Sequence, residues 1–198
     1  MNIYFAPLEG ITGFVLRNAY ESCFPGPIDR YFAPFIAASC RKKLAARDLR
    51  DVLPENNTGI CLIPQLLANK GEDFISTAQM LYQFGYRELN LNLGCPSATV
   101  VTKKRGAGLL AEPELLKVFL TECYDWAEGK GIRLSIKTRI GMAEEAEWEK
   151  LLSLYDAFPV SELIIHPRLR EDYYQGRIRE EAFAKAYRKI CTEHEQPV

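Results

Sequence analysis

Apolar residues along the chain follow two alternating rhythms. Short β-rich runs at Ile3 to Ala6, Ile28 to Phe32, Ile60 to Leu66, Glu88 to Leu93, Arg133 to Thr138 and Glu162 to His166 predict strands. Between them the spacing turns helical. Phe74, Ala78 and Leu81 share one face of a segment closed by Gly85, and Leu115, Leu116, Phe119, Leu120 and Cys123 form a stripe behind Pro113, a residue favoured at a helix start. Trp148, Leu151, Leu152 and Tyr155 make a third stripe, and Phe183, Ala186, Tyr187 and Ile190 a fourth. Strand alternating with helix implies a mostly parallel sheet, because each parallel pairing needs a crossover that a helix supplies.

Such a sheet is either open and doubly wound or closed into a barrel. A nucleotide-binding open sheet carries a glycine-rich turn after its first strand, whereas this chain has Ala6-Pro7-Leu8-Glu9-Gly10 and no GxGxxG. Polar residues instead collect at the C-terminal ends of the strands: Glu9, Gln65, Asn92 with Cys95, Lys137 with Arg139, and His166 with Arg168. That is where barrel enzymes gather their reactive groups. In Leu89-Asn90-Leu91-Asn92-Leu93 the strand period sends leucines to one face and asparagines to the other, and Leu134-Ser135-Ile136-Lys137 repeats the pattern. The leucines would pack on outer helices, and the polar residues would point inward. The expected fold is a TIM (β/α)8 barrel, incomplete here, with residues 1–198 as one partial catalytic domain. A full barrel takes about 250 residues, and Gln196-Pro197-Val198 reads as the first step of a seventh strand. About six of eight units are expected, with two sheet edges that self-associate, require a partner, or are covered by a longer chain.

Composition adds exclusions. The 198 residues are 47% hydrophobic, as in an ordinary globular domain, and 25 Lys plus Arg against 26 Asp plus Glu give no global attraction to a polyanion. The six cysteines form no CxxC pair, which argues against a zinc site or a redox dithiol and for a reducing, cytoplasmic setting. Met1-Asn2 leads directly into Ile3-Tyr4-Phe5-Ala6-Pro7, without the charged n-region or apolar length of a signal peptide or membrane span.

Candidate chemistry centres on Cys95, where Gly94 and Pro96 force a fixed turn just past a strand end. A thiol of ordinary pKa, about 8.5, is protonated at neutral pH and suits an acid. Cys23, Cys40, Cys61, Cys123 and Cys191 are read as buried packing residues. Lys137 should point into the barrel and needs an anionic partner, either reduced flavin or Glu9. Gln65 suits a flavin or base edge, or an edge-of-core amide. His166 has no second histidine at metal-ligand spacing, since His194 sits in a charged helical stretch, so no metal is expected. Two basic runs, Lys103-Lys104-Arg105 and Arg41-Lys42-Lys43 with Arg47, are candidate phosphate contacts or plain surface.

Ala6-Pro7-Leu8-Glu9-Gly10-Ile11-Thr12 with Arg17, Pro64-Gln65-Leu66, Asn92-Leu93-Gly94-Cys95-Pro96-Ser97, Arg105-Gly106-Ala107-Gly108-Leu109-Leu110, Lys137-Thr138-Arg139-Ile140-Gly141 and His166-Pro167-Arg168 together resemble, in order, the tRNA-dihydrouridine synthase family. The resemblance implies an FMN-dependent reduction of the C5=C6 bond of uridines in tRNA, with NADPH as electron donor. It implies hydride delivery from reduced FMN to C6 and a proton from Cys95 to C5. By position it implies Pro7, Leu8, Glu9, Gln65, Lys137 and His166 on the cofactor side, and Asn92, Arg139, Arg168 and Tyr174 on the substrate side. Leu8 stands where many members have Met. The family's phosphate loops after strands seven and eight and its C-terminal helical tRNA-binding domain have no counterpart in these residues. The alternatives are a noncatalytic remnant that binds RNA or a partner, and an FMN barrel acting on a free pyrimidine.

Overall fold

The computed structural model describes residues 2–191. His194, the expected seventh strand at Gln196 to Val198 and the side chain of Cys191 lie outside the described residues. The strands are β1 (Tyr4–Phe5), β2 (Arg30–Phe32), β3 (Ile36–Ala37), β4 (Leu62–Ile63), β5 (Gln65–Leu67), β6 (Glu88–Leu93), β7 (Arg133–Arg139) and β8 (Leu163–His166). The helices are α1 (Phe14–Cys23), α2 (Ala46–Val52), α3 (Gly71–Gln83), α4 (Ala98–Val101), α5 (Pro113–Glu128), α6 (Glu147–Asp156) and α7 (Glu180–Ala186). Every pairing is parallel, in the orders β1-β2-β4 and β3-β5-β6-β7-β8. This is an α/β fold consistent with a partial TIM barrel.

The strand expected over 60–66 is two short ones, because Pro64 has no N–H to give to the ladder. β3 was not foreseen, being only two residues long. The breaks do not separate the sheet pieces: Ala33 N donates to Ile63 O at 3.1 Å, and Asn90 N donates to Pro64 O at 2.9 Å. β2 with β3, and β4 with β5, are thus two bent runs that pair first in one piece and then in the other.

The strand alternation behaves as the sequence suggests. Leu89, Leu91, Leu93, Leu134 and Ile136 join one core with Phe74, Leu81, Phe119 and Leu120 of α3 and α5. Asn90 and Ser135, cross-strand partners, are fully buried on the other side of the sheet. The helical stripes hold with three exceptions. Trp148, Leu151, Leu152 and Tyr155 are buried, but Leu115 sits at the edge of its stripe and is exposed. Phe183 and Tyr187 are exposed as well, although Ala186 and Ile190 beside them are buried. A stripe wider than the neighbour it packs on leaves its margin in solvent.

At the N-terminal ends of the strands a charged cluster joins the first part of the sheet to the last. Tyr4 Oη donates to Glu162 Oε1 at 2.6 Å, Arg30 reaches Glu88 at 2.9 Å and Glu162 at 3.3 Å, and Arg133 reaches Glu88 at 2.6 Å. Glu162 is buried and Glu88 nearly so, hence each carboxylate is matched by more than one donor.

Candidate active site

A cavity of about 660 Å³ opens at the C-terminal ends of the strands. Its wall includes Pro7, Leu8, Glu9, Gln65, Asn92, Cys95, Lys137, Arg139, His166 and Tyr174, so all the residues singled out in the sequence except Arg168 meet there. Arg168 stands just behind, with its Nη1 2.9 Å from His166 Nε2 and its Nε donating to Gly176 O at 2.6 Å.

The loop after β1 is held from below. Thr12 Oγ1 accepts from Leu8 N at 2.7 Å and donates to Leu8 O at 3.1 Å, and Gly10 takes the left-handed φ of +77° that the tight turn requires. The fully buried Arg17 donates to Thr12 O, Asp51 O and Asn57 Oδ1 at 2.6–2.8 Å. Pro7, Leu8 and Glu9 are thereby presented on a rigid base.

The turn that carries Cys95 is fixed by one amide. Asn92 Oδ1 accepts from both Gly94 N at 3.1 Å and Cys95 N at 2.9 Å, while Asn92 Nδ2 donates to Gln65 Oε1 at 2.8 Å. Gln65 Nε2 donates to Asn90 Oδ1 at 2.7 Å, Asn90 Nδ2 to Ser135 Oγ at 2.8 Å, and Ser135 Oγ to Leu89 O at 3.4 Å. A line of buried amides therefore runs from the thiol turn into the barrel interior, each member satisfied by the next. On the other side, Ala107 N donates to Cys95 O at 3.1 Å. A Cβ on Gly106 would stand 3.0 Å from Cys95 Cβ, and one on Gly108 would stand 2.6 Å from Val101 O. Those glycines let the 3-10 turn at Gly106–Ala111 close against α4 beneath the thiol.

Cys95 is half-buried, and burial above all pushes its thiol pKa up, with Glu9 adding to the rise and the Ser97 backbone and Arg139 opposing it. Lys137 is half-buried on the cavity wall, and among the described residues its ammonium has no hydrogen bond or ion pair. Glu9 pairs instead with Arg47 at 3.6 Å, so the Glu9–Lys137 pair is not formed. Burial, followed by the charge of Arg139, lowers the Lys137 pKa. His166 is pushed down to about 4 by burial and then by Arg139, Lys137 and Arg168, which keeps it neutral at physiological pH.

Arg139 is 1% exposed and its guanidinium is engaged inside the protein: Nε donates to Gly94 O at 2.9 Å and Nη1 to Leu169 O at 2.8 Å. Its outer face lies against the Tyr174 ring, 5.4 Å from the centroid, and Tyr174 is 63% exposed at the rim. The basic runs are partly tied down: Arg105 pairs with Asp73 at 3.3 Å, Lys104 with Glu112 at 2.7 Å, and Arg47 also with Asp48 at 3.4 Å. Of the cysteines expected to be buried, Cys123 is, but Cys23, Cys40 and Cys61 are exposed. Cys23 ends α1, Cys61 precedes β4 and Cys40 lies in the loop between β3 and α2. Among the described residues no group of His, Cys, Asp and Glu could hold a metal ion, and no helix is long and apolar enough to cross a membrane.

Sequence reasoning missed Phe35 and Tyr173, which also line the cavity. Phe35 carries no polar signal. Tyr173 stands beside Tyr174 and has a left-handed φ of 49°, which only coordinates reveal.

A family model described as dihydrouridine synthase matches residues 4–191. A probable tRNA-dihydrouridine synthase of Staphylococcus aureus (strain Mu50 / ATCC 700699) is 28% identical over 170 residues, 84% of this chain and 49% of that protein. A protein of the same description from Staphylococcus epidermidis (strain ATCC 12228 / FDA PCI 1200) is 28% identical over 84% of this chain and 50% of its own length. A probable tRNA-dihydrouridine synthase 2 of Bacillus subtilis (strain 168) is 26% identical over the same shares. The chain spans about half the length of the curated relatives it matches. With five of the six motifs lining one cavity, the sixth, Arg105 to Leu110, packed beneath the thiol turn, and the family model matched along nearly all the described residues, the chain belongs to the dihydrouridine synthase family.

Proposed function

We propose that the whole protein is an FMN-dependent tRNA-dihydrouridine synthase of the cytoplasm and that this chain carries about six of the eight units of its catalytic TIM barrel. The observation that carries the reading is a half-buried thiol and an unpaired Lys137 ammonium on the wall of one cavity. A cation so placed calls for an anionic ligand, and reduced FMN, negative along its N1 and O2 edge, meets that demand. The cavity volume suits a drug-sized flat ligand. Pro7, Leu8, Glu9 and neutral His166 would line the ring, and Gln65 and Lys137 would hydrogen-bond it.

Bound FMN, kept reduced by NADPH, would supply the hydride for C6 of the uracil. Cys95 would give the proton to C5, because burial keeps the thiol protonated at neutral pH. Asn92, Arg139, Arg168 and Tyr174 form the substrate side. Tyr174 offers an exposed ring for an unstacked base, whereas Asn92 and Arg139 act chiefly by holding the thiol turn.

The test is Cys95→Ala in the full-length enzyme, followed by two rates. Flavin reduction by NADPH should remain nearly unchanged, while dihydrouridine formation falls by about 10²–10⁴-fold, the weight of a general acid. Equal loss of both rates would rule out the proton-donor role, and a colourless purified enzyme would rule out the flavin.

A further inference from the structure

The backbone around Cys95 leaves no polar group to chance. Asn92 takes the N–H groups of Gly94 and Cys95, Arg139 Nε takes Gly94 O, and Ala107 N takes Cys95 O. Pro96 has no N–H, and its carbonyl accepts from Arg170 Nε at 3.2 Å, across 74 residues of sequence. Arg170 belongs to the segment after β8 that carries Tyr173 and Tyr174. That segment is sewn to the end of β7 by Arg170 N to Gly141 O at 2.9 Å and by Glu171 N to Met142 O at 3.1 Å. The Arg170 guanidinium also lies 5.1 Å from the centroid of the Tyr173 ring.

We infer that Arg170 is a positioning residue for the Cys95 thiol, coupling its aim to the aromatic rim formed by Tyr173 and Tyr174. Of the ties on the turn, it is the one that comes from a half-buried side chain on the rim itself, so movement of the rim is transmitted to the carbonyl next to the thiol. The catalytic meaning of this coupling rests on the proton-donor reading of Cys95. The coupling itself does not.

Alkylation of the full chain by iodoacetamide, resolved by mass spectrometry at each cysteine between pH 6 and 10 (an interval of about four units around the thiol range), tests it without flavin or RNA. Arg170→Met keeps the stem and removes the donor, while Arg170→Lys keeps a donor. In Arg170→Met the plateau rate at Cys95 should rise about fivefold, the population change that one ordinary hydrogen bond commands. The midpoint pH should stay in place, since the thiol's electrostatic neighbours are Glu9 and Arg139. Arg170→Lys should restore the parent rate. Buried Cys123 is the internal control and should not change in either variant. Equal Cys95 rates in all three proteins would overturn the inference, and so would a parallel rise at Cys123, which reports general loosening. Cys95→Ala with undiminished dihydrouridine formation would remove the proton-donor reading and leave the alkylation result standing.

Discussion

Lys137 shows how a single side chain can point to a ligand. An ammonium in a cavity wall, without an acceptor among the described residues, is a standing cost to the fold unless something negative enters. Its lowered pKa has the same origin, burial first and the Arg139 charge second. Lys137→Met preserves the stem and removes the charge. The variant should be at least as stable as the parent, with a Tm raised by up to about 4 °C, and should hold flavin at least about tenfold less tightly, the effect of one charge-assisted hydrogen bond. Thermal unfolding and flavin occupancy, measured on the same sample, check both halves. A lowered Tm would show that the ammonium already has a partner. His166 belongs to the same electrostatic field, because burial first and three neighbouring cations second hold it neutral and leave it able to accept as well as donate.

At the scale of elements, the thiol turn is a joint between β6, α4 and the 3-10 turn at Gly106–Ala111. Gly108 is the tightest point, since an added Cβ meets backbone atoms of Val101 at 2.6 and 2.8 Å that cannot rotate away. Gly108→Ala should therefore destabilise by about 1–3 kcal/mol, the usual range for overpacking. Urea unfolding should show a lower midpoint at an unchanged m-value. A midpoint equal to the parent's would mean that α4 yields without loss. Much of this level was legible in the sequence. The period-two alternation in β6 and β7 separated Leu89, Leu91 and Leu93 from Asn90 and Asn92, and the turn chemistry of Gly94 and Pro96 marked the thiol. What escaped was set by tertiary contact. Arg139 carries a positive charge in the sequence, but its bonds to the carbonyls of Gly94 and Leu169 leave no mark there. The same holds for Glu9, which could reach Lys137 by strand order but is drawn to Arg47.

In the whole molecule, the cluster of Tyr4, Arg30, Glu88, Arg133 and Glu162 ties β1 and β2 to the entrance of β8. β1 and β8 each have one strand neighbour among the described residues, so this cluster is a main bond between the two ends of the sheet. Glu162→Leu leaves the Tyr4 hydroxyl and part of the Arg30 guanidinium without an acceptor and should cost about 1–3 kcal/mol. Glu149→Leu, which removes an exposed pair with Lys185, should cost less than about 1 kcal/mol. Equilibrium unfolding of the two variants side by side decides the matter, and equal losses would deny the cluster that role.

The amide line beneath the thiol has one more implication. All its links point the same way, and neutral carboxamides hold hydrogens without handing them on. The line therefore gives the sulfur no proton route from the barrel's interior, and the face on which Cys95 meets the cavity is where a lost hydrogen would be replaced.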